Sequence, residues 1–442
     1  MHTLNDLLVF NWNWESAVPG ETDTDLIRCL ASWRWVVRDR VLTRHHVHHD
    51  DAARDELFVS LLPFTEFVLA NWWALLHEQS VRPSSIERLD LQRRHVIDAH
   101  SDGFAYPAVS LFGAGSHIRV TAQQKSIQSA ELCFTTTTEA RDRWTGVPRT
   151  ILEQRLLELA NDTLQRLGKC PITSDLREWL AAIEHSRMDS DETRFCTAAG
   201  LLGEDPYAME PSVQQAIFDT VEQFGEAFAF ELFTVLDAST LATGRKAFSD
   251  AESQLAQGSQ ELAAAITHAR REYVSSMANP QKSPWQRGYA LASAIRERIG
   301  IEQGFSDFSS LSNAVLHLDW VPEVRKSLPL AAQGVGYCDK KKATVLLAPP
   351  RHRNRLFVWA QMLGDILLSG AQTRFIAIKN ASDRQKAARA FAAELLLPAA
   401  VLKTTDWRST KQRQALIEHY GVSNAIARYQ YQNQVANTGN MA

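Results

Sequence analysis

Cysteine is sparse in this chain, and no two cysteines lie close together. Cys29, Cys133, Cys170, Cys196 and Cys338 are scattered with no CxxC pair. That excludes a disulfide framework and a cysteine-type zinc site, and it fits reduced thiols. Long apolar runs are missing too. The most apolar stretches, near Leu61–Leu76 and Phe224–Leu236, are interrupted by Glu66, Glu226 and Glu231, so neither reads as a bilayer span. The segment Met1-His2-Thr3-Leu4-Asn5-Asp6 has no basic stretch followed by an apolar core. No signal peptide is therefore expected, and the expected location is cytoplasmic, without a membrane partner. The net charge of −4 excludes a nucleic-acid coat over the whole surface but leaves local basic patches open. No P-loop, GxGxxG or GxSxG motif and no Cys/His nucleophile pair is found, so the common phosphate, dinucleotide and serine-hydrolase chemistries lack a starting point.

What is present is the composition of a soluble globular protein, 45% hydrophobic and 22% charged,. At 442 residues the chain exceeds one ordinary core, so several domains are expected. The pattern predicts an α+β protein, mostly helical. Residues 1–149 read as a mixed α/β domain, 150–280 as a helical middle region, and 281–442 as a domain with a small sheet and a C-terminal helical segment. In the first region, Thr24–Val41 carries apolar residues at helical spacing and Phe58–His77 reads as a buried helix. Ala108–Phe112 and His117–Val120 read as a hairpin around Gly113–Gly115, and Thr135–Thr138 as a loop.

In the middle region a helix is expected over Thr150–Leu167, opened by a Thr150…Glu153 capping box and closed by Gly168. Further helices are expected at Asp175–His185, Thr193–Leu202, Ser212–Leu236 and Gln254–Met277. Asn279–Pro284 reads as a linker. In the last region the expected elements are helices Trp285–Ile299 and Ser309–Leu316, then strands Gly334–Cys338 and Ala343–Leu347 about an Asp339–Lys342 turn. Helices Arg355–Leu368 and Ser382–Leu397 follow, then a C-terminal helical pair.

Several constellations invite a functional reading. His45-His46-Val47-His48-His49-Asp50-Asp51 reproduces part of an HxHxDH metal motif, but Asp51 stands where its last histidine belongs. The run reads as a solvated interhelical loop, with adventitious metal capture by His45, His46, His48 or His49 as the alternative. Asn71-Trp72-Trp73 with His77 and Glu78 offers either a recognition surface or a packed core, and its helical spacing favours the core. Arg93-Arg94-His95 and Lys340-Lys341-Lys342 read as exposed turns or helix faces. Thr193–Ala216 has helix-turn-helix size, but its second element is acidic or neutral. The C-terminal Val422–Arg428 segment, with Lys411, Arg413 and Gln430 nearby, leaves nucleic-acid binding open.

Five segments of the last region carry a resemblance. They are Ala290–Gly300, the two strands, Phe357–Asp365, Ala388–Pro398 and Tyr420–Arg428, in that order. Together this series resembles the ImmA/IrrE family of zinc metallopeptidases. In that family a helix of the form "A..LR..LG" precedes strands, an HELGH helix, an "E..AN.FAAELLMP" helix and a "VS..A...R" segment. The resemblance implies a zincin-like domain. It also implies that Gln361 and Asp365 occupy the two histidine positions, Met362 the general-base position and Gln385 the third-ligand position. Amides bind zinc poorly and a thioether cannot take a proton from water. No catalytic residue, metal or cofactor is therefore expected, and Trp359, Gln361, Met362, Asp365 and Gln385 become candidates to line a degenerate binding cleft.

Relatives of this kind act in stress response, toxin–antitoxin pairs and phage defence. The implied role is a pseudopeptidase that holds a protein partner such as a repressor, an antitoxin or a sensor protein. The alternatives are a metal-dependent peptidase or toxin with its site elsewhere, and a DNA-binding regulator.

Overall fold

Between Leu30 and Val37 alternate side chains turn inward: Ala31, Trp33 and Trp35 are buried while Arg34 is exposed. That period of two is a strand's, not a helix's. In the computed structural model the helix expected over Thr24–Val41 is confined to Asp25–Arg28, capped by the Thr24 hydroxyl. The chain then runs as strand Leu30–Val37, paired antiparallel with Leu8–Trp14 and with Leu57–Ser60. Aromatic packing decides the matter. Phe10, Trp33, Trp35 and Phe64 gather with ring centroids 5.2 to 6.2 Å apart, each ring of this size removing roughly 150–250 Å² from water.

The structure describes residues 7–16, 24–47, 49, 51–80, 87–100, 103–123, 132–136, 146–168, 173–254, 258–274, 283–348, 354–370 and 372–436. They form a mixed α+β protein, mostly helical, with small sheets. Two compact units account for the chain: Met1–Asp219 with Phe233–Ala238, and Thr220–Leu232 with Ser239–Ala442. Residues 150–219 thus group with the first unit and 239–280 with the second. Part of the Thr135–Thr138 loop and most of the Asn279–Pro284 linker lie outside the described residues.

In the first unit Phe58–His77 is a strand end followed by two helices, Leu62–Ala70 and Trp72–His77. They break at Asn71, whose backbone N–H and side-chain amide both donate to the Phe67 carbonyl. The expected hairpin is present as Val109–Ala114 against His117–Ala122, and Gly115 takes the positive φ of its turn,. The histidine run is a correction: His45–Val47 is a strand between Ala52–Arg54 and Leu132–Phe134, not an interhelical loop.

Helices Arg149–Leu167, Thr173–Met188 and Ser190–Leu202 follow. The first starts one residue earlier than expected, after Pro148, with no side-chain cap. Glu153 instead faces Arg149 at 3.3 Å, so the capping box is not formed. At the other helix ends Gly168 and Gly203 adopt positive φ as the sequence pattern requires,.

The expected Ser212–Leu236 helix is interrupted by Gly225 at φ +82 and becomes Pro211–Phe224 and Glu226–Phe233. The Gln254–Met277 helix is also corrected. A helix over Leu241–Gln254 ends where that one was to start, and a Ser259-capped helix Gln260–Ala269 widens into a π-helical turn at Arg270–Val274.

The second unit's sheet runs in the order Glu323–Val324, Ala343–Leu347, Gly334–Cys338, Arg374–Ala377. Its two middle strands have the expected bounds, while the two short edge strands were not foreseen. Helix Arg355–Leu368 packs against it, helix Asp383–Leu396 packs on that helix, and helix Pro284–Ile299 packs on Asp383–Leu396. Helices Pro284–Ile299 and Asp383–Leu396 meet so closely that a Cβ on Gly288 would stand 2.1 Å from the Ala387 carbonyl oxygen. Arg355–Leu368 approaches Asp383–Leu396 as closely, a Cβ on Gly364 standing 2.6 Å from the Phe391 ring. Gly288→Ala is accordingly expected to cost about 1–3 kcal/mol by overpacking. Urea unfolding checks this, and an unchanged midpoint would contradict the close approach.

Candidate functional site

The helix Arg355–Leu368 places Gln361 and Asp365 one turn apart on one face,. After a short turn the chain returns as edge strand Arg374–Ala377. Helix Asp383–Leu396 then begins under the Ser382 cap, whose hydroxyl accepts from the Gln385 backbone N–H at 3.2 Å. This path brings position 385 to position 361. The Gln361 amide Nε2 donates to Gln385 Oε1 at 2.9 Å, and Gln385 Nε2 donates to the Ile376 carbonyl on the edge strand.

Asp365 is held separately. Arg384 grips it through two charge-assisted bonds, Nε to Oδ1 at 2.6 Å and Nη2 to Oδ2 at 2.9 Å, and the Ser369 hydroxyl donates to Oδ1 at 3.0 Å,. The same Arg384 Nη2 also donates to the Arg374 carbonyl at 2.7 Å. Arg389 donates to the Ile378 and Asn380 carbonyls beyond the strand. Side chains of one helix thus take up outward-facing carbonyls of the edge strand and leave that edge closed to an added strand.

The remaining candidates lie elsewhere. Met362 packs under the sheet, its thioether 3.0 Å from where a Cβ on Gly334 would stand. Trp359 turns toward helix Phe308–Leu316, donating its indole N–H to the Ser312 hydroxyl at 3.1 Å, with its ring centroid 5.1 Å from that of Trp320. The structure therefore gathers Gln361, Asp365 and Gln385 and separates Met362 and Trp359 from them. None of the five lines an open groove: each is at most 2% exposed.

A zinc ion does not fit these residues. One amide donates to the other, which donates to the edge strand, and the carboxylate is already bound to a guanidinium. Amides and a paired carboxylate make a poor donor set for zinc. Among the described residues no three His, Cys, Asp or Glu side chains form a metal-holding group.

Sequence reasoning missed Arg384 and Glu231. Buried Glu231 accepts from Asn380 Nδ2 at 3.0 Å and from the Ser382 hydroxyl at 2.9 Å. A buried acid at 365 required a buried base, and Arg384, beside Gln385, was the available signal. Glu231 lies about 150 positions from its partners and left none.

The other constellations resolve as follows. Trp72, Trp73, His77 and Glu78 are buried core. Arg93-Arg94-His95 is corrected in part: Arg94 grips the fully buried Glu78 carboxylate at 2.8 and 2.9 Å, and His95 Nε2 lies 2.9 Å from it. These two residues form the inward last turn of helix Glu87–His95 rather than a solvated face. Lys340 and Lys341 do lie exposed in the Asp339–Lys342 turn, while Lys342 is half-buried over the Tyr337 ring. His45 is buried with Nδ1 3.0 Å from the Thr43 carbonyl oxygen, and His46 Nε2 lies 3.0 Å from Asp51. His48 lies outside the described residues. Near the C-terminus Gln430 is buried and donates to Glu394 at 2.7 Å, so it is withdrawn from any groove-reading face, whereas Lys411 and Arg428 are exposed. No protein-family model matches the chain, and no curated protein matches it.

Two outcomes test the site. Asp365→Asn or Arg384→Met alone is expected to cost about 3–5 kcal/mol, because each strands a buried charge or its donors. The double variant should cost clearly less than the two together, and additive losses in denaturant unfolding would contradict a coupled pair. Burial also pushes the Glu231 carboxyl above the ordinary carboxylate range, against Arg384 and its two hydrogen-bond donors. The native state then holds that proton more tightly than the unfolded chain, and stability falls as pH rises from about 4.3 through the native value. Glu231→Gln is expected to gain stability over the parent at pH 7 and to lose that gain near pH 4. A difference that is flat across this range would contradict the shift.

Proposed function

We propose that the second unit is a zincin-like domain of the ImmA/IrrE kind whose metal site has been given up, and that the protein acts as a regulatory or sensing component rather than a peptidase. The observation that carries this reading is the convergence of positions 361, 365 and 385. The resemblance implies that these three positions meet, and the side chains there form a Gln361–Gln385 amide pair beside an Asp365–Arg384 ion pair. A random apolar helix has no reason to bring a residue 24 positions away to its own polar face.

The resemblance suggests stress response, toxin–antitoxin control or phage defence as the setting, with a repressor, antitoxin or sensor protein as partner. Burial of the five candidate residues moves the partner's contact to other surfaces of the unit, since side chains that touch only each other recognise nothing. A cytosolic setting agrees with the free thiols Cys133, Cys196 and Cys338,. It also agrees with the described helices, none of which is long and apolar enough to cross a membrane.

Elemental analysis of the purified, dialysed protein tests the reading. The expected result is zinc far below stoichiometric, with no peptidase activity that depends on Gln361. Stoichiometric zinc, or a peptidase activity abolished by Gln361→Ala, would overturn it.

A further inference from the structure

The first unit contains a small pocket that the reading above does not use. Its volume is about 130 Å³, and it opens where the Leu62–Ala70 helix ends and where the chain leaves helix Ser190–Leu202 through Gly203. That is close to the ~150 Å³ of an apolar cavity able to take one benzene, so it suits a single head group and excludes a nucleotide or a large cofactor.

Four aromatic residues line it: Trp72, Trp73, Trp179 and Tyr207. Trp179 and Tyr207 are 40% and 45% exposed, which for rings this large leaves apolar faces open at the mouth. Their placement is fixed on one side, because the Trp73 indole N–H donates to the Tyr207 hydroxyl at 3.0 Å and Ser186 Oγ lies 3.1 Å from that hydroxyl. A purely apolar ligand would be a natural occupant if the rings stood alone.

The charge around them argues otherwise. Glu204 and Asp205 also line the pocket, the first half-buried and the second exposed. Among the described residues Arg94 is the one cation in the lining. It is gripped by the buried Glu78 carboxylate and also faces Asp90 and Glu204, so carboxylates outnumber it and the local balance is negative. Two helices direct their C-terminal ends here, the 9-residue Leu62–Ala70 and the 13-residue Ser190–Leu202. Such ends carry partial negative charge and favour cations. The helix that starts at Trp72 has only 6 residues and opposes them weakly. Aromatic faces combined with negative charge attract a weakly hydrated organic cation.

We propose that this pocket binds the head group of a small organic cation, an alkylammonium or a guanidinium. Neither the resemblance nor the degenerate site implies such a ligand, and the inference stands if that reading falls.

Titration of the full chain, ¹⁵N-labelled at tryptophan, tests it by the shifts of indole N–H signals. The probes are choline chloride and N-acetyl-arginine amide. Sodium chloride serves as the ionic control, and 3,3-dimethylbutanol as the neutral isostere of choline. The expected result is saturable shifts with a cationic probe, at least tenfold weaker binding of the alcohol, and at least tenfold weaker cation binding in Trp179→Leu. That side chain is partly exposed, so its loss spares the fold. Tighter binding of the arginine amide assigns the site to a partner protein's side chain, and tighter binding of choline to a free small molecule. Equal binding of choline and its neutral isostere, no saturable shift with either cation, or undiminished binding by Trp179→Leu would overturn the proposal.

Discussion

Two buried polar pairs, Gln361 with Gln385 and Asp365 with Arg384, tie together three elements of the second unit: one helix, the next helix, and the edge strand between them. Each of these groups would be costly to bury alone. Gln361 donates to Gln385, which in turn donates to the strand at the Ile376 carbonyl. The guanidinium satisfies the carboxylate and then the strand, through the Arg374 carbonyl. The outward carbonyls of the edge strand are thereby taken up from within the unit.

The first unit uses the same device. Glu78, fully buried, is gripped by Arg94 and approached by His95, and an added Cβ on Gly203 would stand 2.5 Å from its Oε1. In both units a carboxylate inside the core is made tolerable by a bidentate arginine from a neighbouring helix. One such pair lies beside the pocket of the first unit, where Arg94, the one cation among the described lining residues, is outnumbered by carboxylates.

Much of this was legible in the sequence where the determinant was local. Gly168, Gly203 and Gly300 end their helices with positive φ, and Gly334–Cys338 and Ala343–Leu347 have the expected bounds because their alternation and the Asp339 turn are short-range signals. Position 385 was matched to 361 through resemblance, not through spacing. The failures have an equally physical origin. Thr24–Val41 has apolar residues that satisfy either period, and only packing of Trp33 and Trp35 on Phe10 and Phe64 selects the strand. Glu153 was read as a cap because its spacing fits one, but Arg149 claims it. Arg374–Ala377, at 4 residues, is too short to announce itself. The closure of the site was not legible at all, since it depends on rotamers of Arg384 and Gln385 rather than on their identity.

The central claim is that positions 361, 365 and 385 form the geometry of a metal site occupied by mutual hydrogen bonds. The most direct test restores the donors in the full-length chain as Gln361→His, Asp365→His and Gln385→Glu, with Arg384→Met to remove the orphaned charge. Zinc is then measured by elemental analysis on protein whose folding is verified by circular dichroism. The account predicts stoichiometric zinc in the folded variant. A folded variant that takes up no zinc would contradict it.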